Sequence, residues 1–106
     1  MFKIDIHTHI LPDNLNEVTD TFSDPRFLQM DIIDDKTAML KKDGAAFRKV
    51  DCNCWSHQKR IQDCHTTKVD VQVLSTIPVL FSYWAKDDEG LTLSKFLNNH
   101  ITEVVQ

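Results

Sequence analysis

Two histidines separated by a single residue, His7 and His9, stand in the run Ile4-Asp5-Ile6-His7-Thr8-His9-Ile10-Leu11-Pro12. Imidazole nitrogens suit zinc, and residues two apart on an extended segment leave one face, so both rings can approach one ion. A catalytic zinc commonly takes three protein ligands and keeps a position for water, whose pKa it lowers. The pair is therefore an incomplete site, and the bare spacing is a weak signal that short sequences also produce by chance. A second group, Cys52, Cys54, His57, Cys64 and His65, has no Cys-x2-Cys or His-x3-His spacing and reads as free or buried thiols beside ordinary histidines. Phe81, Tyr83, Trp84 and Trp55 are open to two readings, pocket lining or packing. Arg48 alone reads as a solvated charge.

The elements that must carry these residues follow from periodicity. Residues 2 to 7 alternate apolar and polar, which predicts a strand with Phe2, Ile4 and Ile6 on one face and Asp5, His7 and His9 on the other. Residues 12 to 36 are rich in Asp, Asn, Thr, Ser and Pro and read as a long excursion with at most one short helix near Leu15 to Phe22. Asp43-Gly44 between Thr37 to Lys41 and Ala45 to Val50 predicts an antiparallel hairpin over about residues 36–50, because both residues tolerate the positive φ of a tight turn. Ser56 can cap a helix through about Thr67. Val69 to Thr76 concentrates β-branched residues and reads as a second main strand, ended by Pro78. Leu93, Phe96, Leu97, Ile101, Val104 and Val105 recur at helical spacing, and Asp87-Asp88-Glu89 suits the first turn of that helix.

With 106 residues, 42% hydrophobic and 26% charged, the composition is globular and points to one domain with a thin core. A net charge of -4 offers no general attraction to nucleic acid or acidic membrane surfaces. There is no signal-peptide pattern and no long apolar run, which points to a cytoplasmic protein. An odd count of three cysteines argues against a disulfide framework.

The order strand, excursion with hairpin, helix, strand, loop, helix suits the opening of a parallel α/β architecture, and a resemblance sharpens it. The run Ile4 to Pro12 resembles the first metal motif of the amidohydrolase superfamily. The segments Leu40-Lys41-Lys42-Asp43-Gly44-Ala45-Ala46-Phe47-Arg48, Asn53-Cys54-Trp55, Leu74 to Lys86 and Leu97-Asn98-Asn99 resemble, in order and at similar spacing, the aminocarboxymuconate-semialdehyde decarboxylases of that superfamily. The resemblance runs from Phe2 to Val105, is poorest from Asp13 to Asp35, and covers only the first part of the family's usual length. Thr67 and Lys68 stand where the family commonly has a glycine before the second strand.

The resemblance implies that residues 1–106 are the first two βα units of a (β/α)8 TIM barrel with a hairpin insertion at about 36–50. It implies a zinc-dependent carboxy-lyase of tryptophan and kynurenine catabolism. Such an enzyme removes carbon dioxide from 2-amino-3-carboxymuconate 6-semialdehyde and diverts flux from quinolinate and NAD synthesis. Zn2+ is the implied cofactor, His7 and His9 are implied metal ligands, and Arg48 is implied to contact a substrate carboxylate. No catalytic residue is expected within this chain, because the further histidine ligand, the catalytic histidine and the metal-binding aspartate belong to downstream strands. The chain alone is expected to be inactive, and a homodimer is implied for the full-length form. The alternative is a non-catalytic truncated relative acting as an interaction module through the apolar surface its strands would leave uncovered.

Overall fold

The N-terminal alternation becomes strand β1 (Ile4–Ile10) in a computed structural model that describes every residue from Met1 to Gln106. A short helix α1 (Asn16–Thr19) follows, then β2 (Gln29–Ile32), β3 (Thr37–Lys42) and β4 (Ala45–Asp51). A single 3-10 turn at Cys52–Cys54 leads into helix α2 (His57–Thr67) and strand β5 (Val71–Thr76). A second 3-10 turn at Pro78–Leu80 precedes helix α3 (Asp87–Val105). The architecture is mixed α/β, in two sheets: β1 and β5 pair in parallel, while β2, β3 and β4 form an antiparallel ribbon in that order.

Local chemistry explains these elements. The β3–β4 connection turns on Asp43 (φ 55) and Gly44 (φ 75), the two consecutive positive φ values a tight hairpin requires. The Ser56 side chain accepts the Lys59 N–H at 3.2 Å and starts α2 as expected. At the other end, Lys68 takes the left-handed conformation (φ 61, ψ 36), and the Val69 N–H reaches the Cys64 carbonyl at 2.9 Å, a Schellman-type closure usually made with glycine. Asp87, Asp88 and Glu89 fill the first turn of α3, where negative charge meets the positive end of the helix dipole.

Two expectations change. The excursion over residues 12 to 36 contains not only the short helix but the strand β2, so the ribbon has three strands rather than two. Asn16 explains its docking, since its side chain donates to the Met30 carbonyl and accepts the Met30 N–H, both at 2.8 Å, as a neighbouring strand would. The second change concerns the faces of β1. Asp5 pairs with Gln72 but Thr8 pairs with Leu74, so three steps on β1 are set against two on β5. One extra residue resets the alternation. Asp5 therefore falls on the face of Gln72, Leu74, Thr8 and Ile10, while His9, paired with Ser75, falls on the face of Ile4, Val71 and Val73. The His7 N–H donates to the Asp5 carboxylate at 3.2 Å within this irregularity.

The core lies mainly between the ribbon, α1 and the first half of α3. Leu11, Leu15, Val18, Phe27, Leu28, Met30, Ala38, Leu40, Val50, Leu80, Leu93 and Leu97 form one buried cluster. Trp84 packs on Phe27 with ring centroids 4.7 Å apart and lies under the Arg26 guanidinium at 4.3 Å. The parallel sheet is covered on one face only: Ile4, Val71 and Val73 on the other are 53, 42 and 50% exposed.

Candidate functional site

His7 and His9 sit in the C-terminal half of β1, with ring centroids 5.1 Å apart and planes at 89°. His9 is half-buried and His7 exposed. On the neighbouring strand, the Ser75 hydroxyl lies 2.8 Å from His9 Nδ1 and 2.9 Å from the Thr8 carbonyl oxygen. The parallel register that pairs His9 with Ser75 produces this contact. Thr8 is held in turn by its own hydroxyl, which donates to the Val73 carbonyl at 3.0 Å. Lys3 and Asp70 lock the far end of the sheet, the Lys3 N–H donating to the Asp70 carboxylate at 2.7 Å.

Arg48 lies on β4, opposite Leu40 in the register, exposed and without a carboxylate partner. The ribbon folds back on the end of β1 through a hydrogen bond from the Leu11 N–H to the Cys54 carbonyl at 2.8 Å. The result is an open cleft of about 330 Å³ whose lining includes His9, Arg48, Lys49, Asn53, Cys54 and Ile77. Two residues distant in sequence, the inner histidine and the arginine, thus border one space. His7 does not line it. Burial pushes the Cys54 thiol up, with the Asp51 charge adding to the shift and Arg60 and Arg48 opposing it.

The donor set suits zinc chemically, since both candidates are imidazoles, yet no group of three His, Cys, Asp or Glu side chains comes close enough to hold a metal. His7 and His9 are two candidate donors, fewer than the three protein ligands a catalytic zinc commonly takes. The other cysteine and histidine group is dispersed: Cys52 and Cys54 lie on the 3-10 turn, and His57, Cys64 and His65 on α2. His57, Cys64 and His65 border a cleft of about 400 Å³ that also includes Gln72 and Leu74, on the face of the sheet opposite His9. All three cysteines are free thiols. Among the aromatics, Trp84 and Trp55 pack against the core, while Tyr83 is 90% exposed and Phe81 lines a separate cleft beside α3. Ser75 escaped the sequence reading because its role depends on register, and a serine in a strand carries no signal of its own.

No helix is long and apolar enough to cross a membrane. No protein-family model matches the chain. Two curated relatives do. The chain is 44% identical over 103 residues to the 2-amino-3-carboxymuconate-6-semialdehyde decarboxylase of Dictyostelium discoideum, covering 97% of this chain and 29% of that protein. It is 41% identical over 99 residues to the protein of the same name from Caenorhabditis elegans, covering 93% of this chain and 25% of that protein. It thus spans less than a third of the length of the curated relatives it matches. The resemblance drawn from its motifs stands: along nearly its whole length, this chain is similar to a part of the 2-amino-3-carboxymuconate-6-semialdehyde decarboxylases.

Proposed function

We propose that these residues supply the first metal ligands and a substrate-gripping arginine of a zinc-dependent decarboxylase acting on 2-amino-3-carboxymuconate 6-semialdehyde. The observation that carries this reading is the cleft shared by His9 and Arg48. A guanidinium presents a planar fork that can grip a carboxylate through two hydrogen bonds and stays charged at any working pH. On the cleft that His9 also borders, Arg48 would fix the carboxylate while His7 and His9 hold the ion. Zinc, when bound, supplies a Lewis acid and a water of lowered pKa. Two histidines fall short of the three protein ligands such a zinc commonly takes, so on this reading further ligands and a proton-handling group would join them in the complete enzyme.

The architecture supports the same reading. Parallel strands β1 and β5, joined by a crossover that includes α2, are what the first two βα units of a (β/α)8 barrel would present. His9 and Ser75 stand near the C-terminal ends of their strands, where such barrels build their sites. The uncovered face with Ile4, Val71 and Val73 has the composition of a barrel interior. On this reading the ribbon β2–β4 is an insertion that brings Arg48 over the barrel mouth.

The test is a chimera in which these residues replace the matching segment of the Dictyostelium discoideum relative, assayed for carbon dioxide release. His7→Ala and His9→Ala are each expected to reduce the rate to background. Undiminished activity in both variants would sink the ligand assignment. The uncovered apolar face also favours a second reading, a non-catalytic module that pairs with a complete relative. Sedimentation of the chain mixed with that relative, with no co-migration, would count against it.

A further inference from the structure

We propose that Ser75 is a positioning residue that locks His9 in the Nδ1–H tautomer and so presents Nε2 as its metal-binding nitrogen. The hydroxyl of Ser75 has one proton and two close neighbours, the Thr8 carbonyl oxygen at 2.9 Å and His9 Nδ1 at 2.8 Å. A carbonyl oxygen can only accept, so the contact with Thr8 is satisfied when Ser75 donates to it. The proton in the second contact must then come from the ring, which makes Nδ1 the protonated nitrogen. The opposite assignment, with Ser75 donating to a bare Nδ1, would leave the hydroxyl and carbonyl oxygens facing each other at 2.9 Å with no proton between them. The proton positions follow from this network of heavy atoms.

A neutral imidazole with its proton on Nδ1 has its lone pair on Nε2, the nitrogen a metal can take. A hydrogen bond to the other ring nitrogen is the common device by which a protein fixes the orientation and tautomer of a histidine ligand. A hydroxyl does here what a carboxylate or backbone carbonyl does elsewhere. The backbone makes the arrangement rigid, because Thr8 and His9 are consecutive and Ser75 is the register partner of His9. Ser75 therefore binds the carbonyl before the histidine and the ring of the histidine at once. The metal half of the inference rests on the reading of His9 as a ligand, whereas the tautomer does not.

The experiment is a long-range proton–nitrogen correlation on the metal-free, 15N-labelled 106-residue chain at about pH 8, above the ordinary imidazole pKa of about 6.5. His9 is expected to carry its proton on Nδ1. Ser75→Ala is expected to move the proton toward Nε2, the position free imidazole prefers, and Ser75→Thr, which keeps the hydroxyl, is expected to retain Nδ1–H. A wild-type His9 protonated at Nε2, or a Ser75→Ala variant still protonated at Nδ1, would overturn the proposal. In the chimera, Ser75→Ala is expected to weaken zinc binding by about 10–100-fold while Ser75→Thr restores it. Unchanged zinc affinity in Ser75→Ala overturns the metal half. Unchanged affinity in His9→Ala rejects the ligand reading itself, and the tautomer result stands apart from it.

Discussion

Single residues carry two of the expectations that can be measured. Arg48→Lys keeps the charge but loses the planar fork, so in the chimera it is expected to raise KM by roughly tenfold or more, as losing one charge-assisted hydrogen bond of about 1.5–3 kcal/mol requires. An unchanged KM in steady-state kinetics would remove Arg48 from the substrate. His100 tests a different property. Burial pushes its imidazole below the ordinary value; Asp13 and Glu103 oppose the shift and His57 adds to it. The unfolded chain therefore takes up this proton at a higher pH than the folded one. Stability is full above the ordinary value of about 6.5 and falls as pH drops through it toward the folded value. His100→Gln is expected to lessen the drop in urea midpoint between about pH 7.5 and about pH 5.5, and an equal drop in both proteins would contradict this.

Elements were legible in the sequence wherever a local rule governs them. Ser56 capping α2, Asp43-Gly44 turning the hairpin, and the β-branched run of β5 are all encoded within a few residues of where they act. What was not legible depends on partners far away in the chain. Strand β2 exists because Asn16 and β3 supply its hydrogen bonds, and Met30 in a polar stretch gives no sign of that. The extra residue between Asp5 and Thr8 moves His9 to the face of Ile4, and only pairing with β5 reveals it. The candidate site divides in the same way: His7, His9 and Arg48 were recognisable by motif, but Ser75 and the cleft come from register and from the ribbon folding back. Asn16→Ala is expected to cost about 2 kcal/mol in chemical denaturation, since it leaves the Met30 N–H and carbonyl without partners; a loss under about 0.5 kcal/mol would mean that water replaces the clamp. Lys68→Gly is expected to stabilise by about 1 kcal/mol, because a residue with a Cβ pays for its left-handed φ of 61.

The whole molecule is drawn out, with extents of 48 × 28 × 19 Å and a radius of gyration of 14.5 Å, against about 13 Å for a compact chain of this length. Its accessible surface of 7101 Å² exceeds by about 1000 Å² the area expected for a folded monomer of 12.3 kDa. Only 16 of 106 residues are buried, and few of them belong to the parallel sheet, so the ribbon-side cluster must supply most of the stability. Leu40, fully buried there, is a sensitive point: Leu40→Ala is expected to cost about 2–5 kcal/mol, enough to unfold much of so small a protein, as circular dichroism would register. The sheet, by contrast, presents the apolar face of Ile4, Val71 and Val73 beside the strand end that carries His9, and in the proposed enzyme further strands would cover it.

The central claim is that His7 and His9 hold a zinc ion needed for decarboxylation, and the most direct measurement is carbon dioxide release by the chimera before and after removal of metal by a chelator. Release should fall to background as zinc leaves and return when zinc is added back, with no such return in His9→Ala. A rate that persists in zinc-free protein would contradict the claim.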